Sequence, residues 1–375
     1  MTAPREITDR QINRAFLARQ LLIERSPLSP LQAVEHLVGM QSQHPDPAYI
    51  GLWTRLKEFR FDDLSDLILE RKVVRIALMR DTLHLVSAED ALALRPLLQG
   101  LMERRFRSVS WGKNLQGLDL DPVISAAKRI VDAEAVTLAA LGEMLAPLWP
   151  DRDPGALAHA ARNHLALVQV PPRGVWGMSG PARHMSLDGW LKPGRTKKPK
   201  SSMADLVLRY LRAFGPASVA DIQSWCGLSG IGKVIQGLSE SRKDLVVLVD
   251  QKGTELFDVA DAPRPDPDTV VPVRLLPMWD NALLSHKDRR RILGPVDRTT
   301  FFTNNGIIPG TVLVDGYVRA VWTIEPGRRN EPAIIRVDPL LQISKANRRT
   351  IDLEAGQLLE VLAPGKDRKV TYGDS

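Results

Sequence analysis

Between residues 202 and 260 the chain runs SMADLVLRYLRAFG (202–215), SVADIQSWCG (218–227) and GIGKVIQGLS (230–239), then DLVVLVD (244–250) and TELFDVA (254–260). The first three pieces carry apolar residues at helical spacing, and the second opens on Ser218, a residue type that caps helices by accepting from an orphan amide. The last two are rich in β-formers and flank Gly253, so they read as a hairpin. Three helices and then a two-stranded hairpin is the layout of a winged helix, a relative of the helix-turn-helix whose third helix and wing can touch DNA. Lys252, in the turn of that wing, is a candidate DNA contact.

The same order occurs twice upstream. DPVISAAKRIVDA (121–133), TLAALGEMLAPLW (137–149, capped by Thr137) and PGALAHAARNHLA (154–166) read as helices, with LVQV and VWGMS as strands around Gly174. The first copy is TDRQINRAFLARQLLIER (8–25), then SPLQAVEHLVGMQ from Ser29, with Pro30 at the first helical position where its missing N–H costs nothing. PAYIGLWTRLKEF (47–59), an added helix DDLSDLILERK (62–72) and the strands VVRIALMR and TLHLVS complete it.

Beyond the proline-rich break PRPDPDTVVP (263–272) the pattern turns to short β-prone runs: VRLLPMW, TTFFTN, GTVLVDGYVRAVWTIE and PAIIRVD. Asp315 and Gly316 supply a hairpin turn, and ISKANRRTIDLEAGQLLEVLA reads as a strand followed by a closing helix. The expected fold is α+β and mostly helical. It has a first winged-helix unit with connecting helices over 1–120, a second over 121–196, a third over 197–262, and a small β-rich domain over 263–375.

Charge and cysteine usage bound the function. The 51 Lys and Arg exceed the 44 Asp and Glu, giving +7, which points towards a polyanionic partner. The single cysteine, Cys226, excludes an intramolecular disulfide and any site built on several thiolates. The N-terminus lacks the apolar core of a signal peptide and no window has the length of a membrane span, so the expectation is a soluble, cytoplasmic protein. The basic residues cluster: Arg104, Arg105 and Arg107; a linker group with Lys197 and Lys198; Lys287, Arg289, Arg290 and Arg291 in HKDRRRILG (286–294); Arg348 and Arg349. The 286–294 group follows an apolar strand and is expected to present its side chains from a folded edge to DNA phosphates, which position a protein without specifying sequence.

Common catalytic motifs are absent: no HExxH, P-loop, dinucleotide fingerprint or GxSxG. His159 and His164 lie five apart, on poorly matched faces for one metal, and neither metal nor cofactor is expected. GMQSQHPDP (39–47) is different, because Gln41 and Gln43 flank Ser42 at what reads as the end of a helix, where i and i+2 can face one cavity. Glutamine is no base, so a site there positions something.

HLVGMQSQ, with VVRIALMRDTLHLVSAEDA and LLPMWDNALLSHKDRRR, resembles the tandem winged-helix DNA glycosylases typified by the azinomycin B resistance glycosylase AlkZ. The likeness covers nearly the whole chain. It implies that Gln41 and Gln43 are the family's catalytic Gln-Φ-Gln pair, with Ser42 where that motif is usually apolar. It also implies a monofunctional enzyme that excises N7-alkylated purines and unhooks guanine crosslinks in double-stranded DNA. A cationic purine is already a good leaving group, so two amides that hold a water and stabilise charge on the sugar suffice. With no lysine in the motif, hydrolysis to an abasic site is expected. A crosslinked base cannot flip fully into a closed pocket, so an open basic channel around the β domain is expected too. The other reading is a winged-helix transcription regulator; against it the chain has no heptad run for dimerisation, and a monomer is expected.

Overall fold

The structure, a computed structural model, describes residues 5–192, 201–302, 306–327 and 331–373. It is a mixture of helices and sheets. Four predicted helices start on a side-chain cap with a reciprocal partner: Thr8 for Asp9–Arg19, Ser29 for Pro30–His36, Ser202 for Met203–Phe214 and Ser218 for Val219–Cys226. In all four the residue three further on reaches back to the cap amide, so two orphan donors are satisfied at once. Gly227, at φ 78°, ends Val219–Cys226 in the left-handed conformation that closes a helix. Ile231–Ser241 and the strands Leu245–Asp250 and Glu255–Val259 follow as the spacing required.

The hairpins do not stand alone. Arg5–Ile7 pairs in parallel with Leu248–Asp250, so the first strand of the chain extends the third hairpin. Val73–Ala77 and Leu83–Ser87 of the first unit share a six-stranded sheet with Leu167–Gln169 and Arg183–Ser186 of the second, joined where Arg75 faces Gln169 and Ile76 faces Val168. The second hairpin therefore differs from expectation, since VWGMS (175–179) is not its return strand. Val175 and Trp176 sit instead in the first unit's apolar cluster, with Trp176 4.3 Å from the Phe61 ring and 5.2 Å from Tyr49. Burying those side chains outweighs a tight hairpin, and the chain loops on to Arg183 before pairing.

Ala88–Ser108, a 21-residue helix capped by Ser87, connects the first unit to the second. The C-terminal region forms a five-stranded sheet in the order Arg274–Leu276, Gly310–Val314, Tyr317–Glu325, Ala333–Pro339, Arg368–Tyr372, covered by the helix Lys345–Leu362. The Asp315–Gly316 turn is as expected, with both residues at positive φ, and Arg10 and Arg14 of the entry helix bind the Asp315 carboxylate. Two strand readings fail. Residues 298–300 form a helical turn because Asp297 accepts from the Thr299 amide, and the segment before Lys345 is a Ser344 cap instead of a strand. The last strand, Arg368–Tyr372, escaped the sequence reading.

Candidate active site around Gln41 and Gln43

The glutamine pair lies past the helix, on a sheet edge. Pro30–His36 ends, Val38 (φ 54°) and Gly39 (φ 87°) swing the chain round, and Met40–Gln41 pairs antiparallel with Leu85 and His84. Glycine is required at 39, since a Cβ there would stand 2.4 Å from Val86 Cγ1. This corrects the expected placement in an opened helix turn. Gln41 alone of the pair is in the strand; Gln43 follows in a bend, with its Oε1 near the Leu83 amide.

Ser42, between the glutamines, is 1% exposed. Arg75 donates through Nε to Ser42 Oγ (3.1 Å) and through Nη2 to the Ser42 carbonyl (2.7 Å). Burial, with the charge of Arg173, lowers the Arg75 guanidinium to about 10. The hydroxyl thus serves a buried cation, which accounts for a polar residue where an apolar one is usual.

Gln41 is 8% exposed, and its Oε1 accepts from Arg80 Nη2 at 2.6 Å. Arg80 also donates through Nη1 to the Trp225 carbonyl. It sits in the turn between Val73–Ala77 and Leu83–Ser87, where Arg80 and Asp81 both have left-handed φ, 58° and 60°. Burial, then the charge of Arg289, lowers Arg80 to about 10, and partial burial, then the charge of Arg298, lowers half-buried Arg289. Gln43 is exposed, and its Oε1 meets the Leu83 amide only at 3.4 Å.

The strand is held from the C-terminal side. Asn281 accepts from the Gln41 amide (3.1 Å) and donates to the Gly39 carbonyl (2.7 Å). Beside it Asp280 forms a buried pair with Arg55, at 2.7 and 2.8 Å. Met40, Gln41, Pro47, Met278 and Asn281 line a cavity of about 10 Å³, room for a single water. His84, opposite Gln41, is pushed down to about 3 by burial and by Arg80, and is neutral at pH 7. An imidazole held that low is a poor proton acceptor, while exposed His44, next to Gln43, stands 3.5 Å from Asp46.

The candidate DNA contacts separate. Lys287 and Lys252 are exposed, and Arg289 is half-buried with its guanidinium 4.9 Å from the centre of the Phe302 ring. Among the described residues none of these three has a carboxylate at ion-pair distance. Arg290 is bound to Asp288 and close to Asp9 (3.6 Å) and Asp250 (3.8 Å). Arg291 points inward, donating to the Pro216 carbonyl and pairing with Asp221 at 3.3 Å. Of the 286–294 group only Lys287 and Arg289 keep charge for an outside anion. Lys197 and Lys198 lie outside the described residues. Sequence reasoning missed Arg75, Arg80 and Asn281; a short strand connection, LMRDT (78–82), that turns through Arg and Asp with no glycine was the available signal for Arg80.

A family model described as DNA glycosylase AlkZ-like matches residues 34–361. The chain is similar to an interstrand DNA cross-link repair glycosylase of Streptomyces sahachiroi, 23% identical over 344 residues, 84% of this chain and 87% of that one. Its fold is similar to that of the Streptomyces sahachiroi DNA glycosylase AlkZ, with a TM-score of 0.77 at 19% identity, over 98% of this chain and 100% of the other.

Proposed function

This chain belongs to the AlkZ-like family of DNA glycosylases, and from that premise we propose that it hydrolyses the N-glycosidic bond of N7-alkylated guanine, including guanines crosslinked between strands by azinomycin-type agents. The observation that carries the reading is the Gln41–Gln43 edge, which offers two amides, Gln41 held by Arg80 and Gln43 exposed, beside a buried His84 too weakly basic to take a proton. Such a site suits a leaving group that is already cationic. The C1′–N9 bond breaks with its electron pair going to the purine, which departs neutral, while the sugar passes through an oxocarbenium-like state. A water held by Gln41 and Gln43 then forms the C1′–O bond and loses its proton to solvent.

The similar Streptomyces protein is named for interstrand cross-link repair, which supports the crosslink as substrate. In this reading the three helix-and-hairpin units are winged helices bordering the duplex. Half-buried Arg289, with exposed Arg298 beside it, takes a backbone phosphate beside the lesion, where two neighbouring like charges gain from an anion. Lys252 and Lys287 make outer phosphate contacts. No observation favours the regulator reading over this one.

The test incubates the protein with duplexes carrying N7-methylguanine or a bis-N7-guanine crosslink and counts abasic sites after mild alkali. Release by the wild type, falling at least about tenfold in a Gln41→Ala, Gln43→Ala double mutant, is expected. Tight sequence-dependent binding of undamaged DNA with no release would overturn the reading.

A further inference from the structure

Arg80 makes the two glutamines chemically unequal. A guanidinium has no lone pair to accept with, so the Gln41 atom 2.6 Å from Arg80 Nη2 must be the carbonyl oxygen, and the amide cannot be flipped. The second arm of the fork is fixed on the Trp225 carbonyl, so the donor cannot swing away. Gln41 Nε2 has no hydrogen bond among the described residues, and it is not one of the structure's enclosed orphan atoms. What Gln41 offers a substrate is therefore a pair of N–H donors. Gln43 is exposed, and its carbonyl has only a 3.4 Å contact with the Leu83 amide, so acceptor capacity remains.

The turn that delivers Arg80 supports a role for the side chain. Two consecutive L-residues hold φ of 58° and 60°, a conformation that Gly or Asn would adopt with less strain. Asp81 is kept by its pair with Arg162 at 3.2 Å, and Arg80 by Gln41 and Trp225. Backbone strain is thus retained at the turn whose guanidinium reaches the Gln41 amide.

We propose that Arg80 is a positioning residue that fixes Gln41 as donor and leaves Gln43 as acceptor towards the hydrolytic water. The proposal rests on the glycosylase reading above. One lone pair of the water accepts from Gln41 Nε2, one O–H is given to Gln43 Oε1, and the second lone pair faces C1′. The second O–H faces solvent, which takes the proton as the C1′–O bond forms, and the nucleophilic lone pair is aimed.

Single-turnover base release from an N7-methylguanine duplex tests this, with DNA affinity by fluorescence anisotropy and melting temperature measured on each variant. Gln41→Glu keeps the shape but can only accept, and it should lose at least about tenfold in rate. Gln43→Glu keeps an acceptor and should retain at least about tenfold more activity than Gln41→Glu. Arg80→Ala should slow release by about fivefold or more at unchanged DNA affinity, and should cost nothing further in a Gln41→Ala background. A merely structural Arg80 would slow both backgrounds alike. Gln41→Glu as active as wild type, Gln43→Glu no better than Gln41→Glu, or additive losses would overturn the assignment while leaving the enzyme a glycosylase. A wild type that binds the lesion duplex and releases no base would overturn the glycosylase reading and this proposal together.

Discussion

Asn281 holds the backbone on both sides of Met40, accepting from Gln41 and donating to Gly39 across 240 residues of sequence. Asn281→Ala would leave a buried amide and a buried carbonyl without their partner, at about 1–3 kcal/mol. We expect its urea midpoint to fall and base release to fall with it; wild-type values for both would contradict the role. Asp280→Asn should be worse for stability, because the Arg55 guanidinium, 1% exposed, would lose its counter-ion at about 3–5 kcal/mol. Gln41 and Gln43 could be proposed from the sequence because a known motif has that spacing. Asn281 was not, although its run was quoted, because sequence does not say which distant backbone an amide will meet. The arginines of 289–291 show the same limit: three identical neighbours end up on a ring, among carboxylates, and inside the protein.

At the scale of elements, capping and periodicity made most helices readable, since a helix start is set by residues within one turn of it. Strand partners are chosen by tertiary burial, so Trp176 could not be placed beforehand, nor could the motif's own strand of two residues. Gly39 is the element-scale hinge, turning the chain from helix to sheet edge at φ 87°. Gly39→Ala combines that conformation with a Cβ 2.4 Å from Val86, and should destabilise by about 1–3 kcal/mol. A drop in melting temperature with weakened base release is the expected result; an unchanged melting temperature would show that the turn tolerates a side chain.

Across the whole molecule, buried polar groups tie distant segments together. Arg19 of the entry helix meets Asp258 of the third hairpin at 2.6 Å, with both side chains fully buried. Buried histidines give the assembly a pH dependence. Burial depresses His84 to about 3 and His184 to about 4, against about 6.5 in an unfolded chain. Above pH 6.5 neither state binds those protons. Below it the unfolded chain takes them first, so stability is lost as pH falls towards the folded values, by up to about 1.4 kcal/mol per histidine per pH unit. Melting temperature should therefore fall between pH 7 and pH 5; a flat profile would contradict neutral buried imidazoles. Among the described residues no helix is long and apolar enough to cross a membrane.

The central claim is that the Gln41–Gln43 edge performs hydrolysis. Its most direct test is the single-turnover rate of base release from lesion DNA by the wild type, Gln41→Ala and Gln43→Ala, at protein concentrations that saturate binding in each. Rates lowered about tenfold or more in both variants, at affinities like that of the wild type, are what the account predicts. Equal rates in all three proteins would place the chemistry elsewhere in the molecule.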